Sequence, residues 1–156
     1  MTNIQYVVGD ATRPSTPGSK IIVHICNDRG GWGKGFVTAI SARWPEPEYA
    51  YRRWFQEKTN FELGAVGLVQ VEPEIWIANM IGQQGLREKN GVPPIRYDAV
   101  RTGLASVAIK GKELHASVHM PRIGCGLAGG SWSEIEPIIV ETLCNKGIEV
   151  TVYDFG

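Results

Sequence analysis

Residues 20–26 read KIIVHIC and run straight into residues 27–35, NDRGGWGKG. The first stretch is almost continuously apolar and β-branched, the pattern of a strand buried on both faces. The second holds four glycines in nine residues. Residues 36–44 then place Phe36, Val37, Ile40 and Trp44 on one face of a helix. The order is strand, glycine loop, helix. Glycine permits positive φ and close backbone approach. Successive N–H groups can therefore converge into an anion-binding nest, and the helix that follows adds its own unpaired N–H groups and the positive end of its dipole. An anion cradle beyond the carboxyl end of a strand is the expectation.

The same event recurs towards the C-terminus. Residues 117–120 read as a strand closed by Pro121, residues 124–130 as a second glycine loop, and residues 131–145 as a helix. Ser131 and Glu134 have capping-box spacing, and Gly147 follows the helix as a stop signal. Two such loops facing each other suit a diphosphate. Between and around them lie strand runs at residues 4–8, 66–71, 75–81 and 149–153. Helical patterns cover residues 47–58, with Tyr51, Trp54 and Phe55 inward, and 97–110, with Val100, Leu104, Val107 and Ala108 inward. Strands interleaved with helices predict one α/β domain over residues 1–156. The expected architecture is a three-layer αβα sandwich around a mixed, mainly parallel sheet of about six strands.

Composition narrows the function. Sixteen basic residues balance sixteen acidic ones, so there is no cationic excess to neutralise a phosphate backbone and bulk nucleic-acid binding is not expected. With 43% hydrophobic residues the chain can build a core, which excludes disorder. Cys26, Cys125 and Cys144 form no CxxC and read as reduced thiols. The start, MTNIQYVVGDATRP, has neither a basic region nor a long apolar one, so no signal peptide is expected. Apolar runs of about six residues fall far short of the ~20 that span a bilayer. A cytoplasmic monomer without membrane contact is the expectation. His24, His115 and His119 show no metal-ligand spacing with the cysteines, so neither metal nor other cofactor is expected.

Residues 124–129 match GxGxxG, but only one helix and one strand follow, too few for a doubly wound unit. Lys34 is followed by glycine, unlike a P-loop lysine. No arginine follows Cys125 at all, which removes a cysteine-phosphatase loop.

GDAT at residues 9–12, IVHICND at 22–28, GGWGKGF at 30–36, PRIGCGL at 121–127 and TVYDF at 151–155 together resemble a macrodomain. The likeness spans the whole chain in order. It is strongest to the branch holding the terminal ADP-ribose protein glycohydrolases and the ADP-ribose 1''-phosphate phosphatases. The resemblance implies ADP-ribose as ligand. Asp10 would accept from the adenine amino group and the backbone at Ala11 would complete that edge. Asn27 would touch the distal ribose. Trp32 would wall the cleft. Gly33, Lys34, Gly35 and Phe36 would wrap the diphosphate from one side. Ile123, Gly124, Cys125, Gly126, Leu127 and Ala128 would wrap it from the other. Tyr153 or Phe155 would pack on the adenine. Ala128 stands where the glycohydrolases carry an aspartate, and Lys34 where another hydrolase class carries one, so neither catalytic set transfers.

Candidate catalytic groups are Asn27, Asp28, His24 and Gln83, the last on a polar loop with Gln84 and Arg87. Plainer readings stand beside them. Asp10 could simply cap a turn, and His24 could be a satisfied core histidine. Cys125 could be only a small loop side chain, and Trp32 and Trp132 could be core aromatics. The expected function is hydrolysis of ADP-ribose from acidic side chains of mono-ADP-ribosylated proteins. The alternatives are an ADP-ribose 1''-phosphate phosphatase and a non-catalytic ADP-ribose reader.

Overall fold

The structure, a computed structural model, describes residues 2–155. Six strands form one sheet: β1 (Ile4–Val8), β2 (Lys20–Asn27), β3 (Val66–Glu72), β4 (Ile75–Gln83), β5 (Ser117–Pro121) and β6 (Val150–Asp154). Their order is β1-β6-β5-β2-β4-β3, parallel throughout except for the antiparallel edge strand β3. Helices α1 (Phe36–Arg43) and α2 (Glu46–Glu57) cover one face. Helices α3 (Tyr97–Leu114) and α4 (Trp132–Thr142) cover the other. The mixed αβα sandwich read from the sequence is the observed fold.

Strand β2 shows why this stretch is decisive. Ile21 and Val23 enter the core under α3 and α4, while Ile22 and Cys26 enter the core under α1 and α2. With period-two alternation, a strand buried on both faces must be apolar at nearly every position. Tyr51, on the inward stripe of α2, is fully buried in that second core. Trp54 and Phe55 beside it are only half-buried.

Helix ends depart from expectation in three places. Helix α3 runs on to Leu114 and closes on His115 in the left-handed region (φ 52). Helix α4 starts at Trp132 and ends at Thr142, with a separate 3-10 turn, Cys144–Lys146, completing the run to Gly147. The capping box is not formed. The Ser131 hydroxyl pairs with that of Ser133 at 2.7 Å, and Ser131 meets Glu134 only through its main-chain carbonyl, at 3.0 Å. Two neighbouring hydroxyls satisfy each other here, and the backbone donor is left to the backbone.

Candidate functional site

Strands β2 and β5 are neighbours, yet their onward connections leave the sheet on opposite faces. Chains diverging from adjacent carboxyl ends open a crevice. A cavity of about 620 Å³ lies there, between the loop after β2 and the loop after β5. Its volume lies in the range of small-molecule sites.

The first loop is held open by side chains beneath it. The Asn27 side-chain oxygen accepts from the N–H of Arg29 (2.9 Å) and of Gly31 (3.1 Å), and its amide nitrogen donates to the Gly31 carbonyl (3.0 Å). Gly35 sits at φ 83, ψ −146 as the cap of α1, a conformation open in practice only to glycine. Above this frame, the N–H groups of residues 33–37 take no hydrogen-bond partner among the described residues. Across the cavity, the N–H groups of residues 126–128 are likewise free among the described residues, while Gly129 and Gly130 close that loop on Gly126 (3.0 Å) and Gly124 (2.6 Å). Gly124 itself has φ 75, and a Cβ there would meet Ile95 Cδ1 at 2.4 Å. Two rows of residues with unpaired peptide N–H groups thus line one space.

The structure brings most of the sequence-predicted residues to this cavity. His24, Asn27, Trp32 and Gln83 line it. So do Gly33, Lys34, Gly35 and Phe36 of the first loop. Ile123, Gly124, Gly126, Leu127 and Ala128 form the opposite wall. Cys125 does not: its thiol turns to the Ile123 carbonyl at 3.6 Å, and burial raises its pKa. Asp28 also turns away, because its carboxylate accepts from the Gly85 N–H at 2.8 Å and so ties the loop after β4 to the loop after β2. Gln83 donates to the Gly85 carbonyl at 3.0 Å.

Asp10, Ala11, Tyr153 and Phe155 stand outside the cavity wall, beyond its β6 end. Ala11 is buried and Phe155 is 85% exposed. The Asp10 carboxylate accepts from the Thr12 N–H (2.8 Å) and hydroxyl (2.7 Å), a turn cap as the plainer reading had it. Its other oxygen lies 3.7 Å from Arg13. Desolvation works to raise the Asp10 pKa, but the Thr12 bonds and the Arg13 charge outweigh it, and the net shift is downward.

His24 is buried at the base of the cavity, its ring edge-on to Trp32. Asn79 Nδ2 donates to the Pro47 carbonyl (3.1 Å), which turns Asn79 Oδ1 towards His24 Nε2 at 2.6 Å. Nε2 therefore carries the proton, and Nδ1 is a buried lone pair with no partner among the described residues. Burial pushes the ring's pKa down to about 4 despite the Asn79 bond, so His24 is neutral at pH 7. Trp32 is both core and wall: its indole N–H donates to Ser41 at 2.8 Å and its ring packs on Tyr51.

Sequence reasoning missed three features of the site. Leu86, on a loop read as polar, lines the wall beside Gly31, 3.3 Å from where a Cβ there would stand. Arg122 lines the other end. It is paired with Asp154 at 2.6 and 3.0 Å and lies over the rings of Tyr6 and Trp132. Val37 faces the cavity from the first turn of α1. Arg122 lies inside the quoted PRIGCGL stretch and Val37 directly follows GGWGKGF, but nothing in their own residue type pointed to the site.

No family model matches the chain. The structure of a macrodomain protein from Streptomyces coelicolor, however, is 57% identical to it, with a TM-score of 0.89 over 99% of this chain and 100% of that one. The chain belongs to the macrodomain family. The macrodomain is also similar to the zebrafish (Danio rerio) chromodomain-helicase-DNA-binding protein 1-like, 36% identical over 97% of this chain. That match spans only 16% of the longer protein. It further resembles the ADP-ribose 1''-phosphate phosphatase of Candida albicans, 26% identical over 88% of this chain and 92% of the relative.

Proposed function

We propose that this macrodomain binds ADP-ribose across the two loops and hydrolyses it from acidic side chains of modified proteins. The observation that carries the reading is the pair of facing donor rows, residues 33–37 and 126–128, free of partners among the described residues. A diphosphate supplies acceptors to both rows at once, with the dipole of α1 behind one of them. The adenosine then extends towards Asp10 and Tyr153, and the distal ribose towards Gln83, Leu86 and Arg87.

The linkage to be broken is an ester between the distal ribose and a carboxyl group. Water adds, the ester bond breaks, and free ADP-ribose and the carboxylic acid leave. No Asp or Glu side chain lines the cavity among the described residues, and Asp28 is engaged by Gly85. The macrodomain's contribution is therefore positioning of the distal ribose and of water, with no protein carboxylate as general base. Positioning alone can supply a large part of a barrier for so labile a bond.

A second reading, release of phosphate from ADP-ribose 1''-phosphate, draws on His24. Its neutral ring lies at the base of the cavity, with a buried Nδ1 that has no partner among the described residues. The likeness to the Candida albicans phosphatase supports it. One experiment separates the readings: calorimetry with ADP-ribose, followed by incubation with a glutamate-linked ADP-ribosyl protein and, separately, with the 1''-phosphate. Release of ADP-ribose from protein above the uncatalysed background supports the first reading, and phosphate release the second. Binding without either leaves a reader domain, and no heat with excess ADP-ribose overturns the proposal.

A further inference from the structure

On the sheet face that α1 and α2 cover over β2 and β4, the alternation of β5 and β6 presents Ser117, His119, Thr151 and Tyr153, and the segment between β1 and β2 meets this polar layer through Thr16 and Ser19. His119 is at its centre and wholly buried. Its Nδ1 lies 2.7 Å from the Tyr153 hydroxyl, and its Nε2 lies 2.7 Å from the Ser117 hydroxyl and 3.3 Å from that of Thr16. Three hydroxyls from three segments thus converge on one ring: the segment between β1 and β2, β5 and β6.

One polarity satisfies this chain. Ser117 can pass its hydroxyl hydrogen to the Ser19 carbonyl at 3.5 Å, and so accept the His119 Nε2–H. His119 Nδ1 is then an acceptor, and the Tyr153 hydroxyl donates to it. A neutral imidazole with a single proton fits both sides. A buried polar network with every member satisfied rigidifies its surroundings. Here it fixes the Tyr153 ring, which lies 3.7 Å from where a Cβ at Gly9 would stand. Gly9 in turn donates from its N–H to the Asp154 carbonyl at 2.8 Å and is followed directly by Asp10.

We propose that His119 is the positioning residue of the adenine end. It holds the Tyr153 ring through its hydroxyl, and the segment after Asp10 through Thr16, so that the ring and the carboxylate keep one spacing before any nucleotide arrives. This rests on the ADP-ribose reading above. His119 touches no ligand itself; its effect passes through Tyr153 and the Gly9–Asp10 backbone.

The test compares ADP-ribose with its hypoxanthine counterpart, IDP-ribose, which lacks the amino group that Asp10 would accept. Wild type should prefer ADP-ribose by about ten-fold, the scale of one hydrogen bond to a charged group. Tyr153→Phe keeps the ring and removes only the hydroxyl, and His119→Leu removes the hub. Each should bring the preference to within about two-fold, and the double variant should match the singles, because all three break one network. A general loss of stability would lower both affinities together and leave their ratio intact. A preference retained in Tyr153→Phe, or losses that add in the double variant, overturns the positioning role alone. Wild type that binds ADP-ribose without preference also overturns it, and wild type that binds neither ligand overturns this role together with the ADP-ribose reading.

Discussion

The Tyr51 hydroxyl, carried on α2, donates to the Asn27 main-chain carbonyl at 2.5 Å and accepts from the Gly30 N–H at 3.0 Å. The first glycine loop is thus anchored from below, through a residue that does not itself line the cavity. Tyr51→Phe should lower stability by about 1–3 kcal/mol, the usual net worth of two such bonds, and weaken ADP-ribose binding several-fold. Urea denaturation and calorimetry on the same samples check both. Unchanged affinity with reduced stability would show that the loop keeps its shape without the anchor.

Asn27 and Asp28 are expected to separate. Asn27→Ala removes three bonds within the loop and should lower both affinity and turnover, turnover by on the order of 100-fold because positioning is lost. Asp28→Asn retains an acceptor for the Gly85 N–H and should leave turnover of a glutamate-linked substrate within a few-fold of wild type. Loss of all turnover in Asp28→Asn with binding intact would restore a carboxylate base to the mechanism.

The two donor rows can be blocked without straining the backbone. A Cβ at Gly33 or Gly126 meets nothing within 4 Å, and neither residue has positive φ. Gly33→Glu and Gly126→Glu should therefore fold normally and lose ADP-ribose binding, since each sets a carboxylate into the cradle. Gly35→Glu is a poorer probe, because φ 83 there strains any side chain. Melting temperature and calorimetry together report the outcome. A folded Gly126→Glu that binds normally would show that the second row does not meet the ligand.

Asp10 caps Thr12, so truncation confounds fold with recognition. Asp10→Asn keeps a side-chain oxygen for the Thr12 N–H but loses the charge. It should weaken ADP-ribose by roughly 1–3 kcal/mol and leave ribose 5-phosphate unchanged. Equal loss for both ligands would place Asp10 in the fold only.

The two buried histidines set an acid limit. Burial depresses the pKa of both His24 and His119 to about 4, from an ordinary value of 6.5, with nearby Lys20 adding to the depression at His119. Between those values the unfolded chain binds protons that the folded one does not. Stability therefore rises with pH across that window. The contribution is complete above pH 6.5 and is lost as the pH falls towards 4. Asp10, whose pKa lies below the usual carboxylate value, adds a loss only at more acid pH. Melting temperatures from pH 7.5 to 4 should fall most steeply below 6.5, and less steeply in His119→Leu. A flat profile over that range would contradict the buried neutral state of both rings.

The sequence carried the sheet and the two loops because each is a local pattern. β2 needs apolar residues on both faces, and the loops need glycine. The cleft walls followed from those loops. Tyr51, by contrast, read only as an inward residue of a helix, since nothing in its spacing says that its hydroxyl ends under Asn27. His119 carries no local signal of its role, because its three hydroxyl partners come together only when β5, β6 and the segment after β1 are assembled. Ser131 and Glu134 show the reverse case: the capping-box spacing is present, but a nearer hydroxyl on Ser133 takes the side chain. Asp28 faces Gly85 across 57 positions of chain, a pairing no window of sequence can contain.

Arg122 reaches the cavity with its charge already matched by Asp154. Lys34 and Arg87 also line the cavity, and beside those two charges an anion meets a set of peptide dipoles fixed in place by the loops. Dipoles of this kind release no counterions when a ligand lands and are felt over a shorter range than the roughly 10 Å Debye length at 0.1 M salt. The share of the grip that comes from these dipoles persists as ionic strength rises, while the share from Lys34 and Arg87 is screened.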